Sequence, residues 1–443
     1  MQISVGLEDV VKEKREEKDM ILGESSDGID RRGFLKCMAW AGTGLVWTVG
    51  AGLPSSSMFG STRDKKAAGA DFTFVQISDS HIGFDKPANT DVNATLQAAI
   101  DKIKGLERKP DFIIHTGDLT HLSKPGEFDT LDQLLKGTGV NVAYVPGEHD
   151  VIDNGQQYLE RYGKDPDGNK KKGAGWYSFD HKGVHFIGLV NVANLKPGGM
   201  GSLGHDQLEW LEDDLKGKSR STPLVVFAHI PMWAVYPQWG WGTEDSAQAL
   251  GYMKKFGSVT VLNGHIHQIM QKVEGNVSFH TAMSTAFPQP APGSAPSPGP
   301  MKVPAEKLKD VLGIRDVNYV AGPHHLAVVD ATLSGNPPEV HSVQAAGQSE
   351  PSGSSAAAGG SATAVKIDNF AFNPTPVTVK PGTTVTWTNG DDIPHNVESS
   401  QKKFSSPVLD TNQKFQFTFK EPGDYPYFCK LHPRMTGKIV VQG

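Results

Sequence analysis

Side chains that bind metal ions recur in this sequence where short apolar runs end. They form five blocks, which contain Asp79 with His81, Asp118, Glu148 with His149, His229, and His265 with His267. Imidazole and carboxylate groups are ligands that suit zinc, iron and manganese. One block alone would indicate little, because buried histidines and strand-end aspartates are common. Five blocks in order, each after an apolar run, indicate a metal site.

A second group of softer ligands lies near the C-terminus. Cys429, His432 and Met435 have C-x-x-H-x-x-M spacing between two predicted strands, and His395 follows another strand. A thiolate and two imidazoles with a long axial thioether form a blue copper site. Zinc is the competing metal, but zinc sites are built from Cys, His and carboxylates rather than Met. The residue types therefore favour copper and one-electron transfer.

The elements that must hold the first group alternate between strands and helices. Apolar runs predict strands over residues 72–77, 112–115, 140–145, 184–190, 223–228 and 259–262, and helices over 92–106 and 205–215. This alternation predicts an α/β layered domain. Residues 345–363 are rich in Gly, Ser and Ala and predict a flexible linker. Residues 364–443 consist of short alternating β-type runs, which predict a small β-sandwich.

The five blocks resemble the calcineurin-like metallophosphoesterases, whose ordered pattern is D-x-H, G-D, G-N-H-D/E, H and G-H-x-H. The resemblance implies a β-sandwich flanked by helices and a dinuclear centre of two divalent ions, zinc, iron or manganese, that hydrolyses a phosphoester substrate. It implies that one ion is held by Asp79, His81, Asp118 and His267, and the other by Asp118, Glu148, His229 and His265. His149 would lie beside the substrate as general acid or as a stabiliser of the phosphoryl oxygens.

Position 148 departs from the family pattern, because Glu148 stands where the family has Asn. The added carboxylate is predicted to tighten the second metal and to weaken its Lewis acidity. Three outcomes are open: a different metal, slower turnover, or a longer ligand with no other effect.

The substrate class is left open by the sequence. His121 stands where purple acid phosphatases carry a metal-bound Tyr, so a tyrosinate-iron centre is not expected. Residues 117–120 resemble the cyclic-nucleotide phosphodiesterase branch of the family. The aromatic segment at residues 232–241 either stacks on a base or aryl ester or packs as a hydrophobic cover. Both phosphomonoesters and phosphodiesters stay candidates.

The C-terminal group resembles the cupredoxins, most closely those of the amicyanin and plastocyanin group. The resemblance implies an all-β Greek-key sandwich with one copper ion held by His395, Cys429, His432 and Met435. It also implies that an exposed His432 is the exit for the electron. Two hypotheses address its presence beside a hydrolase. Either the copper domain docks a redox partner protein, or the oxidation state of copper gates hydrolysis.

The N-terminal segment predicts export. Arg31 and Arg32 are followed by Phe-Leu-Lys and by an uncharged stretch at residues 37–58, with a small-x-small site at residues 68–70. This resembles the twin-arginine signal of bacteria, which implies passage through the twin-arginine translocon to the periplasm or the medium. An amphipathic or membrane-anchoring helix is the alternative. The predicted organisation is a leader at 1–70, a metallophosphoesterase at 71–344, a linker at 345–363 and a cupredoxin at 364–443.

Charge and cysteine content exclude two further classes of protein. The net charge of −6 argues against a nucleic-acid-binding protein, and two cysteines cannot make a disulfide scaffold. We therefore expect an exported metal-dependent phosphoesterase that carries a type 1 copper electron-transfer domain. The alternative is an electron-transfer or copper-handling protein whose phosphoesterase domain is a catalytically weak metal-binding scaffold. Glu148 favours that alternative.

Overall fold

The computed structural model describes residues 71–152, 154–195, 199–321, 325–338 and 363–443. The predicted leader at residues 1–70 lies outside these ranges, and so does the predicted linker apart from residue 363. Within the described ranges, no helix is long and apolar enough to cross a membrane.

The larger domain alternates strands and helices as the sequence predicts. Its elements are β1 (Phe72–Ile77), α1 (Val92–Lys104), β2 (Phe112–His115), α2 (Pro125–Lys136), β3 (Val142–Tyr144), α3 (Gln156–Tyr162), β4 (Tyr177–His181), β5 (Val184–Gly188), α4 (His205–Leu215), β6 (Leu224–Phe227), α5 (Ser246–Met253), β7 (Val259–Asn263), β8 (Gln271–Glu274), β9 (Val277–Thr281), α6 (Leu308–Val311), β10 (Gly313–Val320) and β11 (His325–Thr332). The predicted strands at 140–145 and 184–190 and the predicted helix at 92–106 are each shorter by two residues or more.

These strands form two mixed sheets that pack face to face. One has the order β11-β10-β1-β2-β3, and the other has the order β4-β5-β6-β7-β9-β8. Phe74 and Phe112 from the first sheet meet Phe186 and Phe227 from the second in a buried core. Burial of such aromatic side chains contributes strongly to the hydrophobic stabilisation of this interface.

Helices cover the outer faces of both sheets. In α1, Val92, Leu96, Ile100 and Ile103 are buried at helical spacing, and they pack with α2 against the first sheet. Helices α4 and α5 pack against the second sheet in the same way. The α/β layered domain predicted from the alternation is confirmed, and so is the β-sandwich flanked by helices that the family resemblance implied.

The smaller domain is an all-β sandwich, as predicted. Its strands are β12 (Ala364–Ile367), β13 (Phe372–Asn373), β14 (Val377–Val379), β15 (Thr383–Asn389), β16 (Glu398–Ser399), β17 (Lys414–Phe419), β18 (Gly423–Phe428) and β19 (Thr436–Val441). They form sheets of order β13-β12-β15-β17 and β14-β19-β18-β16. Alternate residues of β15, Val385, Trp387 and Asn389, are buried between the sheets. The period of two expected for a half-buried strand is therefore present.

Candidate metal centres

The five blocks lie at the carboxyl ends of β1, β2, β3, β6 and β7. Within each sheet these strands run parallel, so their ends meet at one edge of the sandwich. The backbone there is unusual. Positive φ angles occur at Asp79 (53°), His81 (42°), Asp118 (49°), His265 (71°) and His267 (53°). Residues other than Gly rarely adopt this conformation, which costs about 1–3 kcal/mol each and concentrates at functional sites.

The first candidate site brings four side chains together. Asp79 Oδ1 lies 3.3 Å from His267 Nε2, and His267 Nε2 lies 3.3 Å from His81 Nε2. His81 Nε2 is 3.5 Å from Oδ2 of Asp118. These atoms surround a common point, as the ligands of one ion do. The four residues are those that the family pattern assigns to the first metal.

The second candidate site shares Asp118 with the first. Its Oδ2 atom lies 3.3 Å from His229 Nε2, so one carboxylate oxygen faces a histidine of each site. Glu148 closes the second site, with Oε2 3.0 Å from His229 Nε2 and Oε1 3.0 Å from His265 Nδ1. The carboxylate at position 148 therefore lies between two of the other candidate ligands of the second site.

Backbone carbonyls orient two of these histidines. Nδ1 of His229 donates to the Thr116 carbonyl at 2.7 Å, and Nδ1 of His267 donates to the Phe287 carbonyl at 2.5 Å. A carbonyl only accepts, so Nδ1 is the donor atom of each ring and Nε2 is the nitrogen that faces the cluster. Contacts of this kind orient metal-binding histidines in proteins. The donor set thus fits two divalent ions.

Two glycines permit this close packing. Gly117 has φ of +94°, and a Cβ atom there would overlap the His229 ring. A Cβ atom on Gly147 would overlap the Asp118 carboxylate. Glycine is therefore required before both Asp118 and Glu148, which accounts for the glycines in two of the sequence blocks.

The surroundings of Glu148 and Asp79 favour the ionised form of these two carboxyl groups. Burial acts to raise the pKa of Glu148, but the facing imidazoles of His265 and His229 outweigh it and hold the pKa well below its ordinary value. Burial likewise opposes ionisation of Asp79, and His267 lowers the pKa of that carboxyl. Ionised carboxylates are the form that binds metal cations.

His149 lies beside the Asp118 carboxylate. Its backbone N–H donates to Oδ1 of Asp118 at 3.0 Å, and its Nδ1 donates to the His121 carbonyl at 2.8 Å. Nε2 is then the ring atom available to a substrate. His149 and Glu148 line a cavity of about 170 Å³.

The aromatic segment at residues 232–241 contains side chains in both of the roles considered for it, the hydrophobic cover and the ligand contact. Trp233 packs against Phe279, with ring centroids 5.2 Å apart. Trp239 and Trp241 instead line the cavity. Only the end of the segment is therefore placed to contact a ligand.

The smaller domain brings the softer ligands together. Sγ of Cys429 lies 3.7 Å from His395 Nδ1 and 3.8 Å from His432 Nδ1, and the two imidazole nitrogens are 3.0 Å apart. Cys429 and Met435 are buried. Two imidazoles and one thiolate turned to a common point fit a copper ion.

Two residues that support this group were not predicted from the sequence. Asp391 accepts a hydrogen bond from His395 Nε2 at 2.9 Å, which leaves Nδ1 of that ring as the ligand atom. The backbone N–H of Asn396 donates to Cys429 Sγ at 3.4 Å. The spacing of four between Asp391 and His395 was the available signal for the first contact. The second contact is made by a backbone N–H, which almost every residue type has, so the sequence gives no signal for it.

The two candidate centres open into the same cavity. His432 and Met435 line it from one domain, and His81, Asp118 and His265 line it from the other. The expectation of an exposed His432 is therefore wrong, because its side chain is partly buried and faces the larger domain. The linker composition gave no information on how the domains would pack.

Comparison with protein families gives one match for each domain. Residues 72–269 match the calcineurin-like phosphoesterase model. Residues 360–442 match the model of copper binding proteins of the plastocyanin/azurin family. Both resemblances inferred from the sequence blocks are confirmed at the level of the domain.

Individual relatives divide in the same way. Amicyanin-alpha of Methylorubrum extorquens is 41% identical over 85 residues, which are 18% of this chain and 71% of that protein. A probable glycerophosphodiester phosphodiesterase of Arcobacter nitrofigilis is 27% identical over 220 residues, 47% of this chain and 77% of that protein. A 3',5'-cyclic-nucleotide phosphodiesterase of Nostoc sp. is 24% identical over 221 residues, 48% of this chain and 79% of that protein.

Proposed function

The chain belongs to the plastocyanin/azurin family of copper-binding proteins, and from this premise we propose that it is an exported phosphodiesterase with a dinuclear metal centre and a type 1 copper site. The family assignment rests on the smaller domain. The larger domain, which precedes it in the chain, is a calcineurin-like phosphoesterase domain. The larger domain makes the protein a hydrolase of phosphoric esters. Diester hydrolysis is the more specific part of the proposal, and it is supported by the names of both hydrolase relatives.

The position of Asp118 carries the dinuclear part of the proposal. Its Oδ2 atom is 3.5 Å from a histidine of one cluster and 3.3 Å from a histidine of the other. A carboxylate oxygen between two groups of ligands is the arrangement that holds two ions close together. Bound divalent ions would polarise the phosphoryl oxygens, lower the pKa of a water molecule and neutralise the leaving oxygen.

The side chains of this chain perform the remaining tasks. Asp79, His81 and His267 would hold the first ion with Asp118, and Glu148, His229 and His265 would hold the second with it. His149, fixed by the His121 carbonyl, presents Nε2 to the cavity, where it donates a proton to the leaving oxygen or a hydrogen bond to the phosphoryl group.

Metal analysis coupled to hydrolysis tests this proposal. The full chain is purified, its metals are counted, and turnover of bis(p-nitrophenyl) phosphate is compared with that of the monoester. We expect two ions in the larger domain, with the diester preferred. Asp118→Asn should lose both ions and reduce kcat/KM on the order of 10³-fold. The control is Asp101→Asn, an exposed position on α1. Full metal content and activity in Asp118→Asn would overturn the dinuclear assignment.

The copper part of the proposal rests on the approach of Cys429, His395 and His432. With Met435 they would hold a single copper ion that exchanges one electron with a redox partner. The same metal analysis, extended to copper, tests it. A protein loaded with Cu(II) should show the intense absorption of a copper–thiolate bond.

Export is supported by the residues that precede the described part of the chain. Arg31 and Arg32 with the uncharged stretch at residues 37–58 would direct the protein through the twin-arginine translocon to the periplasm or medium. Replacing both arginines by lysine should leave the protein in the bacterial cytoplasm. Unchanged export of that variant would contradict this route.

A second candidate function is favoured by Glu148. A third carboxylate beside Asp79 and Asp118 reduces the net positive charge of a loaded centre, and with it the polarisation of a substrate. In that case the larger domain is a weakly catalytic scaffold and electron transfer or copper handling is the main activity. Loaded wild-type protein that turns over neither ester would favour this candidate.

A further inference from the structure

The cavity between the domains is built by both of them. Its floor carries His81, Asp118, Glu148 and His149, and its opposite wall carries His432 and Arg434. The wall belongs to the loop that holds three of the four candidate copper ligands. A ligand in the hydrolase cavity therefore meets side chains of the copper domain.

Polar contacts hold this wall in place. Nη1 of Arg434 donates to the Gln238 carbonyl at 2.7 Å, and Nζ of Lys430 donates to Asn154 Oδ1 at 3.3 Å. On another side, Lys86 Nζ lies 3.7 Å from a carboxylate oxygen of Asp410. Contacts on several sides fix how the copper domain faces the cavity.

Arg434 differs from the other residues that line the cavity in carrying a permanent positive charge. Among the lining residues in the described part of the chain, it is the only Arg or Lys. Its side chain is exposed, and one of its five N–H donors is bonded to Gln238. A guanidinium presents paired donors that match two oxygens of a phosphate group.

We propose that Arg434 is a substrate-binding residue of the phosphoesterase, supplied by the copper domain, and that it binds a non-bridging phosphoryl oxygen of an anionic ester. The proposal rests on the proposed hydrolase function. It adds a cation that the larger domain does not place in the cavity among its described residues. The hydrolase pocket is then complete only when the copper domain is docked.

The copper ligands also position Arg434. It lies between His432 and Met435, and the loop is closed by hydrogen bonds from the Met435 N–H to the His432 carbonyl at 2.9 Å and from the Cys429 N–H to the Met435 carbonyl at 3.0 Å. An ion bound by Cys429, His432 and Met435 fixes the loop on both sides of Arg434. Copper loading should therefore strengthen phosphate binding, and phosphate should alter the copper site in return.

Binding of inorganic phosphate to the metal-loaded full chain tests the proposal. Calorimetry gives the phosphate Kd, and the copper–thiolate absorption shows that each variant is folded and loaded. Arg434→Gln should raise the Kd roughly tenfold to a hundredfold, as expected for loss of a charged hydrogen bond. Arg434→Lys should recover part of the loss. Lys430→Gln is the matched control, because this side chain lies on the same loop and contacts Asn154 instead.

Two further measurements distinguish phosphate binding by Arg434 from a role of Arg434 in holding the two domains together. In wild type, phosphate should shift the copper–thiolate band and copper removal should raise the phosphate Kd. In Arg434→Gln, both effects should vanish. If Arg434→Gln weakens phosphate binding no more than Lys430→Gln does, Arg434 only holds the two domains together and the proposal is wrong. If loaded wild type neither binds phosphate nor hydrolyses an ester, the hydrolase function fails and this proposal fails with it.

Discussion

The backbone N–H of His149 donates a 3.0 Å hydrogen bond to Oδ1 of Asp118. The candidate general acid and the candidate bridging ligand are thus joined through backbone rather than through the imidazole. The orientation of Asp118 consequently does not depend on which side chain occupies position 149.

That relationship predicts the behaviour of His149→Ala. The metals should be retained, because the N–H that orients Asp118 remains. Turnover of a diester should fall by about 10² to 10⁴-fold, the usual contribution of a positioned proton donor. Metal analysis and steady-state kinetics on the same preparation check this. Loss of metal together with activity would show that the imidazole is structural.

Glu148→Asn restores the family residue and tests the departure directly. Because Asn is neutral and shorter, the second ion should bind at least about tenfold more weakly, while kcat at saturating metal should rise. Metal titration followed by kinetics measures both quantities. The control is Glu107→Asn, an exposed glutamate. Identical metal affinity and activity in the variant and wild type would mean that position 148 is not a ligand.

Cys429→Ser should remove the copper–thiolate absorption and leave the metals of the larger domain in place. The thiolate is the donor responsible for the colour of such a site, and Cys429 is fully buried in the smaller domain. Met435→Gln is the matched variant, which should keep the band and shift the reduction potential. A band that survives in Cys429→Ser would place copper elsewhere.

Lys171 predicts a pH dependence of stability away from the metal sites. Its Nζ donates to the Tyr144 carbonyl at 2.9 Å and lies 4.0 Å from the centroid of the Tyr177 ring. Burial lowers the pKa of Lys171 to about 7. Above that pH the unfolded chain holds a proton that the folded protein has released, so folding is favoured as pH rises.

The comparison with Lys171→Met isolates this effect. From pH 7 to 9 the free energy of unfolding of wild type should rise by about 2 kcal/mol relative to the variant. Urea denaturation at several pH values measures the difference. Lys170→Met, at the exposed neighbouring position, should show no such trend. A pH-independent difference between Lys171→Met and wild type would contradict the shifted pKa.

The sequence predicted the elements that carry the metal ligands well. β1 and β2 have the predicted bounds, because a short, mainly apolar run that is buried on both faces is typical of a strand. The positions of Asp79, Asp118 and His229 follow, since parallel strands bring their carboxyl ends to one edge.

Contacts made through backbone were not predictable. The carbonyls of Thr116 and Phe287 orient two histidines, but any residue type offers a carbonyl. The docking of the two domains was not predictable from the sequence either. It depends on polar contacts such as that between Arg434 and Gln238, and on Ile393 of the smaller domain, which packs in a core cluster of the larger one. Neither contact has a periodicity to detect.

The shared cavity has a kinetic consequence. His432 lines the same space as Glu148 and His149, so a molecule bound for hydrolysis would lie near the imidazole through which copper would exchange electrons. Small electron carriers that reach His432 through this space would be competitive inhibitors of hydrolysis, and ester substrates would slow the reoxidation of copper. The two activities would then be mutually exclusive in time without any movement of either domain.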